Sequence, residues 1–247
     1  MRFVLAMLAT LLAAPSWASD AVVKDGGTLQ VRGVIYRLDG IDAPEFDQVC
    51  VDQKADSWAC GVEARDQLTK LIGARELRCE DKGAVPKSNN WRIGICTLAG
   101  ETQSINQTLV RQGWALSAES GVPRFGADQA DARANERGLW KGCFASPQEF
   151  RGWKIDAPLL GAACRSDKLA ELREILFPVE PAMPPGCTIK GKLAVRARFT
   201  GNRGIYHTQS CRSYPALTRP NRWFCSEDDA RAAGFRKAYN CGSGQRR

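Results

Sequence analysis

Histidine is nearly absent from this chain, which has one, His207, among 247 residues. Its ten cysteines include no Cys-x-x-Cys pair. Structural zinc sites take four cysteine or histidine ligands, commonly supplied by such close pairs. The sequence therefore gives little support to zinc chemistry.

The chain also lacks an apolar segment long enough to span a bilayer, which takes about 20 residues. The apolar run at 3–14 follows Arg2 and precedes Ser16-Trp17-Ala18, a small-x-small cleavage site. This arrangement is typical of a secretory signal peptide. We therefore predict that residues 1–18 are removed by cleavage after Ala18, and that the protein is periplasmic or secreted.

All ten cysteines follow that segment, and their even number predicts a disulfide framework in an oxidising compartment. Spacing does not fix the connectivity. Cys50 and Cys60 flank a short insertion, and Cys79 and Cys96 fall on neighbouring predicted strands. The pairs that we predict are Cys50–Cys60, Cys79–Cys96, Cys143–Cys164, Cys187–Cys225 and Cys211–Cys241.

Charge is distributed unevenly along the chain. The net charge is +8, but residues 187–247 alone carry 13 lysines and arginines against three acids, so the rest of the chain is slightly acidic. This asymmetry predicts that the C-terminal part contacts an anionic partner: nucleic acid, lipid headgroups or an acidic polysaccharide. The alternative is a solvated basic face that only aids solubility.

The densest group of chemically useful residues is the segment 37–45, RLDGIDAPE. It follows an alternating apolar run that predicts a strand, and Pro44 excludes a helix there. Clustered acids at such a junction suit a hard cation, and a neighbouring arginine suits a phosphate. The alternative is a polar surface turn held by a salt bridge.

Hydrophobic periodicity predicts a small α+β domain followed by a second unit. The patterns indicate a hairpin at 28–38, strands at 76–81 and 91–98, and helices at 58–72, 104–112 and 127–137. Short strands with a few helices fit a five-stranded oligonucleotide-binding (OB-fold) barrel. An amphipathic helix near 169–176 and a proline-rich linker precede the second unit.

The RLDGIDAPE segment resembles the signature of the staphylococcal nuclease (thermonuclease) family of calcium-dependent phosphodiesterases. Further motifs follow in that family's order: LVRQGWA at 109–115, Ala130, Ala134 and GLW at 138–140. The resemblance covers about residues 22–150. It implies the OB-fold barrel and hydrolysis of DNA or RNA.

The resemblance also implies site roles. Asp42 would bind Ca²⁺ with help from the carbonyl of Ala43. The resemblance does not assign Asp25 or Asp39, but either could supply a further ligand where a family aspartate is missing, or water could take that place. Glu45 would orient or deprotonate the attacking water. Arg37 and Arg92 would hold the phosphate, because a planar guanidinium suits it better than a lysine.

Three departures from the family pattern weaken this assignment. Gly27 stands where the family has a calcium-binding aspartate, Asn90-Trp91 replace Tyr-Gly before Arg92, and Phe125 replaces a tyrosine. Two hypotheses follow. The protein is a calcium-dependent nuclease with a weakened site, or a catalytically silent OB-fold module that binds nucleic acid or another polyanion.

The second unit resembles the zinc-binding domain of the Ada DNA-repair protein, through residues 205–211, 222–227 and 232–236. His207, Cys211 and Cys241 match ligand positions, but Ala238 takes the fourth, which favours a disulfide over zinc. We expect a monomer with a signal peptide (1–18), a thermonuclease-like domain (19–150), a helix and linker (151–186) and a basic disulfide-stabilised domain (187–247).

Overall fold

The computed structural model describes residues 21–86, 90–118, 124–194 and 202–241. The predicted signal peptide lies outside these residues, as do parts of the predicted basic domain at 195–201 and 242–247. In the described part of the chain, no helix has both the length and the apolar character needed to cross a bilayer.

A five-stranded sheet is the largest element of the fold, with strand order β1-β2-β3-β8-β7. Within it, β3 and β8 are parallel and the other neighbours are antiparallel. The strands among the described residues are β1 (Ala21–Asp25), β2 (Thr28–Val31), β3 (Val34–Leu38), β4 (Ile41–Asp42), β5 (Cys50–Val51), β6 (Ser57–Trp58), β7 (Leu77–Ala84), β8 (Trp91–Leu98), β9 (Leu116–Ser117), β10 (Phe144–Ala145), β11 (Leu159–Leu160), β12 (Ile189–Leu193), β13 (Gly204–His207), β14 (Arg222–Phe224) and β15 (Phe235–Lys237).

The expected closed barrel is not found. Among the described residues, strand pairings run from β1 to β7 but do not join these two edges. β7 leaves Arg78, Glu80, Asp81 and Lys82 exposed, and charged residues along an edge strand disfavour further pairing. The fold is therefore an OB-like α+β arrangement around an open five-stranded sheet.

Helices cover the sheet as the periodicity predicts. The described helices are α1 (Cys60–Ile72), α2 (Ile105–Arg111), α3 (Gly126–Ala134), α4 (Pro147–Gly152), α5 (Leu169–Leu176) and α6 (Glu227–Ala232), with 3₁₀ turns at Gly138–Lys141 and Ser166–Lys168. The apolar stripe of α1, Ala64, Leu68 and Ile72, is buried. α1 begins two residues later than predicted because Ser57 and Trp58 form β6 and pair with β5.

All five predicted disulfide pairs are confirmed: Cys50–Cys60, Cys79–Cys96, Cys143–Cys164, Cys187–Cys225 and Cys211–Cys241. Cys79 and Cys96 are direct cross-strand partners on β7 and β8. Disulfides persist mainly in oxidising compartments. Five of them fit an extracellular or secreted protein.

The C-terminal module, residues 187–194 and 202–241, has its own small core. Its sheet has the order β14-β12-β13-β15, and α6 packs against one face through Ala230 and Ala233. The zinc-domain likeness is not supported, because Cys211 is bonded to Cys241 and His207 Nδ1 lies 2.8 Å from the Ser213 hydroxyl. A bonded cystine has no thiolate for a metal.

Candidate functional site

The RLDGIDAPE segment turns from the main sheet into a short side sheet. β3 ends at Leu38, Gly40 has φ +73°, and β4 then pairs with β9. Arg37 lies opposite Thr28 on β2, which brings it beside the β1–β2 turn containing Gly27. After Pro44, the loop passes under the start of α1, where Gly61 lies directly against the Glu45 carbonyl.

Four of the five predicted site residues line one cavity of about 60 Å³: Asp25, Arg37, Asp42 and Glu45. Gly27 and Trp91 also line it, as do two residues outside the predicted set, Arg151 and Asp229. Arg151 and Asp229 are far from the others in sequence, so only the tertiary fold brings them into this group. The predicted carboxylates and one predicted guanidinium therefore share a pocket.

Arg92 is the exception and does not line this cavity. On β8 its register partner is Tyr36, whereas the partner of Arg37 is Ile93. Side chains alternate between sheet faces, so a one-residue offset turns Arg92 to the opposite face from Arg37. There its Nε donates to Asp81 Oδ2 at 2.7 Å, in an exposed ion pair.

Arg151 supplies a guanidinium that the motif did not predict. Its Nη2 lies 2.7 Å from Asp42 Oδ1, and its Nη1 donates to Glu45 Oε1 at 2.7 Å. It comes from α4, which begins with Ser146 accepting a hydrogen bond from the Glu149 backbone N–H. One cation thus bridges the two carboxylates that were expected to bind metal and activate water.

Arg222, from β14 of the C-terminal module, contacts the loop that follows Pro44. Its Nε and Nη2 donate to the two oxygens of Asp47 at 2.7 Å each, and its Nη2 also reaches Glu45 Oε2 at 3.3 Å. The backbone N–H of Trp223 donates to Asp47 at 3.0 Å. We call Asp42, Glu45, Asp47, Arg151 and Arg222 the ionic cluster.

The ionic cluster changes the acidity of its members. Burial would raise the pKa of Glu45, but Arg151 and Arg222 outweigh it and hold that pKa below its usual value. For Asp42, burial prevails and the pKa is raised despite Arg151. A carboxylate with a lowered pKa and both oxygens hydrogen-bonded is a poor general base.

Comparison with known proteins agrees with the motif. A family profile described as "Staphylococcal nuclease homologue" matches residues 36–142. The "Succinoglycan biosynthesis protein ExoI" of Rhizobium meliloti (strain 1021) is 31% identical over 149 residues, which cover 57% of this chain and 76% of ExoI. The chain belongs to the staphylococcal nuclease homologue family. Arg151 and Arg222 both lie outside residues 36–142, which the family profile matches.

The calcium expected of a staphylococcal nuclease homologue does not fit the donor set of this pocket. Calcium takes six to eight oxygen ligands, whereas oxygens of Asp42 and Glu45 already accept hydrogen bonds from Arg151. Gly27 offers no carboxylate, and Asp25 Oδ1 accepts from the Gly27 N–H at 2.7 Å. Within the described ranges, no three metal-ligating side chains form a group that could hold an ion.

A second cavity of about 520 Å³ adjoins the first and shares Arg37, Asp42 and Arg151 with it. One of its walls comes from residues 146–160, beyond the part of the chain that matches the nuclease family. Apolar side chains such as Leu116 and Leu160 contribute to its lining. The segment that follows the matched range therefore encloses the pocket on one side.

Sequence reasoning missed Arg151, Arg222 and Asp47. Their contacts join residues 106 to 177 positions apart, and local periodicity carries no signal for such pairs. The sequence offered one hint, which is that the loop carries a third carboxylate, Asp47. A carboxylate requires a cationic partner if it is buried. Asp47 is 6% exposed.

Asp25 supplies a pH test of this pocket. Burial, then the nearby Asp229 and Glu45, raise its pKa to about 7, well above the roughly 3.9 of a free aspartate. Between about pH 4 and 7 the unfolded chain releases a proton that the folded chain keeps, so stability falls as pH rises through this window. Above about pH 7 the folded state carries the full cost of holding an ionised Asp25 in a buried position.

Asp25→Asn should remove this dependence because asparagine does not titrate. Its amide oxygen can still accept the hydrogen bond from the Gly27 N–H. We expect the difference in unfolding free energy between variant and wild type to increase by about 2 kcal/mol from pH 4 to pH 8, in favour of the variant. This figure is smaller than the full linkage value because Asp25 is partly exposed. Urea unfolding across this range measures it. The control is Asp81→Asn, because Arg92 lowers the pKa of Asp81. Parallel curves for Asp25→Asn and wild type would contradict the assignment.

Proposed function

We propose that this protein is an exported nucleic-acid-binding member of the staphylococcal nuclease homologue family, in which the ionic cluster fastens the C-terminal module instead of cleaving phosphodiesters. One observation carries the proposal. Both oxygens of Glu45 are hydrogen-bonded to guanidiniums, one from Arg151 and one from Arg222. Two cationic partners therefore make Glu45 a weak base for activating a water.

Charge around the cluster supports the same conclusion. Five carboxylates face three guanidiniums and Lys24 in the two cavities that meet there, so there is no surplus of positive charge to attract a phosphate. The members of this group are Asp25, Asp42, Glu45, Asp47, Asp229, Arg37, Arg151, Arg222 and Lys24. Nucleic acid is better attracted by the C-terminal module, where basic residues predominate.

The second candidate function is hydrolysis of nucleic acid with a divalent cation. It is favoured by the convergence of Arg37, Asp42 and Glu45 in one pocket, as the family motif requires. In this arrangement Arg151 competes with any cation for both carboxylates. The two functions therefore make opposite predictions about calcium.

A paired assay of binding and cleavage separates them. We expect the mature protein to bind a fluorescent single-stranded oligonucleotide equally in calcium and in chelator, and to leave plasmid and oligonucleotide intact in both. Glu45→Gln keeps the shape of the side chain and should not alter this result. Calcium-dependent cleavage that disappears in Glu45→Gln would overturn the binding proposal and establish the hydrolase.

A further inference from the structure

The face of the C-terminal sheet opposite α6 carries three cations, Lys190, Lys192 and Arg236, and no acid among its described strand residues. Cross-strand partners share a face, and the register pairs Lys190 with both His207 and Trp223, and Ile205 with both Lys192 and Arg236. We call these six residues the basic sheet face: Lys190, Lys192, Ile205, His207, Trp223 and Arg236. The opposite face is closed by Phe224, Phe235 and α6.

Acidic residues of the module are segregated away from this face. Glu227, Asp228 and Asp229 all lie in the first turn of α6. Glu227 and Asp228 are paired with Arg231, and Asp229 faces the Asp25 cavity. They therefore do not neutralise the basic sheet face.

The lysines on this face contact carbonyl groups and rings instead of carboxylates. Lys190 Nζ donates to the Tyr214 carbonyl at 3.2 Å and lies 4.2 Å from the centre of the Tyr214 ring. Lys192 Nζ donates to the Arg219 carbonyl at 3.0 Å. Neutral partners fix these side chains in position and leave their positive charge uncancelled.

Beside this face is an exposed aromatic ring with a cation stacked on it. The Arg236 guanidinium lies 4.1 Å from the centre of the Tyr239 ring. Tyr239 is 89% exposed, the highest value among the large apolar side chains of the described residues. A positive groove with an aromatic platform is how proteins bind single-stranded nucleic acid, because unpaired bases stack on rings.

We propose that the basic sheet face binds single-stranded nucleic acid, with Tyr239 stacking on a base and Lys192 and Arg236 contacting the backbone. This inference rests on the proposed function and assigns its partner to one surface. Stacking on Tyr239 requires an unpaired base, so duplex DNA is bound more weakly than a single strand.

The test uses the mature full-length protein and fluorescence anisotropy with an oligothymidylate probe. Tyr239→Ala should weaken binding roughly tenfold, whereas Tyr239→Phe, which keeps the ring, should stay within about twofold of wild type. Lys192→Gln/Arg236→Gln should reduce the slope of log affinity against log salt by about 1.4, since each phosphate contact contributes about 0.7. Glutamine at 192 retains an N–H donor for the Arg219 carbonyl.

The matched control is Lys54→Gln/Lys70→Gln, which removes two exposed lysines from the nuclease-like part and should leave the slope unchanged. An equal loss in control and test pairs would overturn the assignment to this face. Equal binding of oligothymidylate and alginate, or no loss in Tyr239→Ala, would overturn base stacking. If wild type binds no oligonucleotide, the proposed function itself fails, and that result is distinct from the others.

Discussion

Replacing Asp47 by alanine should lower the free energy of unfolding by about 3–5 kcal/mol, the usual cost of leaving one charge of a buried pair without its partner. Arg222 is 1% exposed and its only carboxylate partners are Asp47 and Glu45 within the described residues. Without Asp47, the guanidinium keeps one contact at 3.3 Å to an oxygen of Glu45. Urea unfolding, monitored by tryptophan fluorescence, measures the effect.

Two further variants show whether the loss comes from an unpaired charge. Asp47→Leu combined with Arg222→Met replaces both partners by apolar groups and should recover most of the stability. Asp167→Ala breaks an exposed ion pair with Arg165, in which the two side chains are 61% and 65% exposed, and should leave the stability almost unchanged because solvent screens the pair. If Asp47→Ala were as mild as Asp167→Ala, the buried contact between the modules would be disproved.

Gly61→Ala should destabilise the protein by about 3 kcal/mol, at the upper end for adding one methyl to a packed interior. An alanine Cβ at this position would lie 1.8 Å from the Glu45 carbonyl oxygen and 2.8 Å from that of Phe46. Both obstacles are backbone atoms, so relief requires the acidic loop to move away from α1. The shift should also separate Glu45 from Arg151.

Gly152→Ala is the matched control for this steric argument. Its added methyl would meet only side-chain carbons of Lys154, the nearest at 3.3 Å, and a flexible lysine can move aside. We expect its stability to lie within about 0.5 kcal/mol of wild type. Equal unfolding midpoints for Gly61→Ala and Gly152→Ala would refute the close approach of α1 to the loop.

Features that depend on short sequence patterns were predictable. The stripe of α1 and the hairpin before RLDGIDAPE each follow from spacing of two, three or four residues. The convergence of Asp25, Arg37, Asp42 and Glu45 followed from the family resemblance. In these cases local geometry or a motif determines where the side chain lies.

Features that depend on register or distant partners were not predictable. The face of Arg92 depends on how β8 aligns with β3, and strand periodicity alone does not give that alignment. Arg151 comes from a helix of six residues, too short to be marked by periodicity. Arg222 belonged to a segment whose likeness suggested zinc chemistry, and nothing local linked it to Asp47.

The bond between Cys143 and Cys164 links the assembly of the site to thiol oxidation. It joins two cysteines that are 21 positions apart, with Arg151 between them. Oxidation of these thiols therefore restricts the distance of Arg151 from Asp42 and Glu45. A newly made chain in a reducing cytoplasm would lack this tether, and its neighbouring carboxylates would repel each other. In an oxidising compartment, where disulfides persist, the bond holds the acidic loop and its cationic partner together.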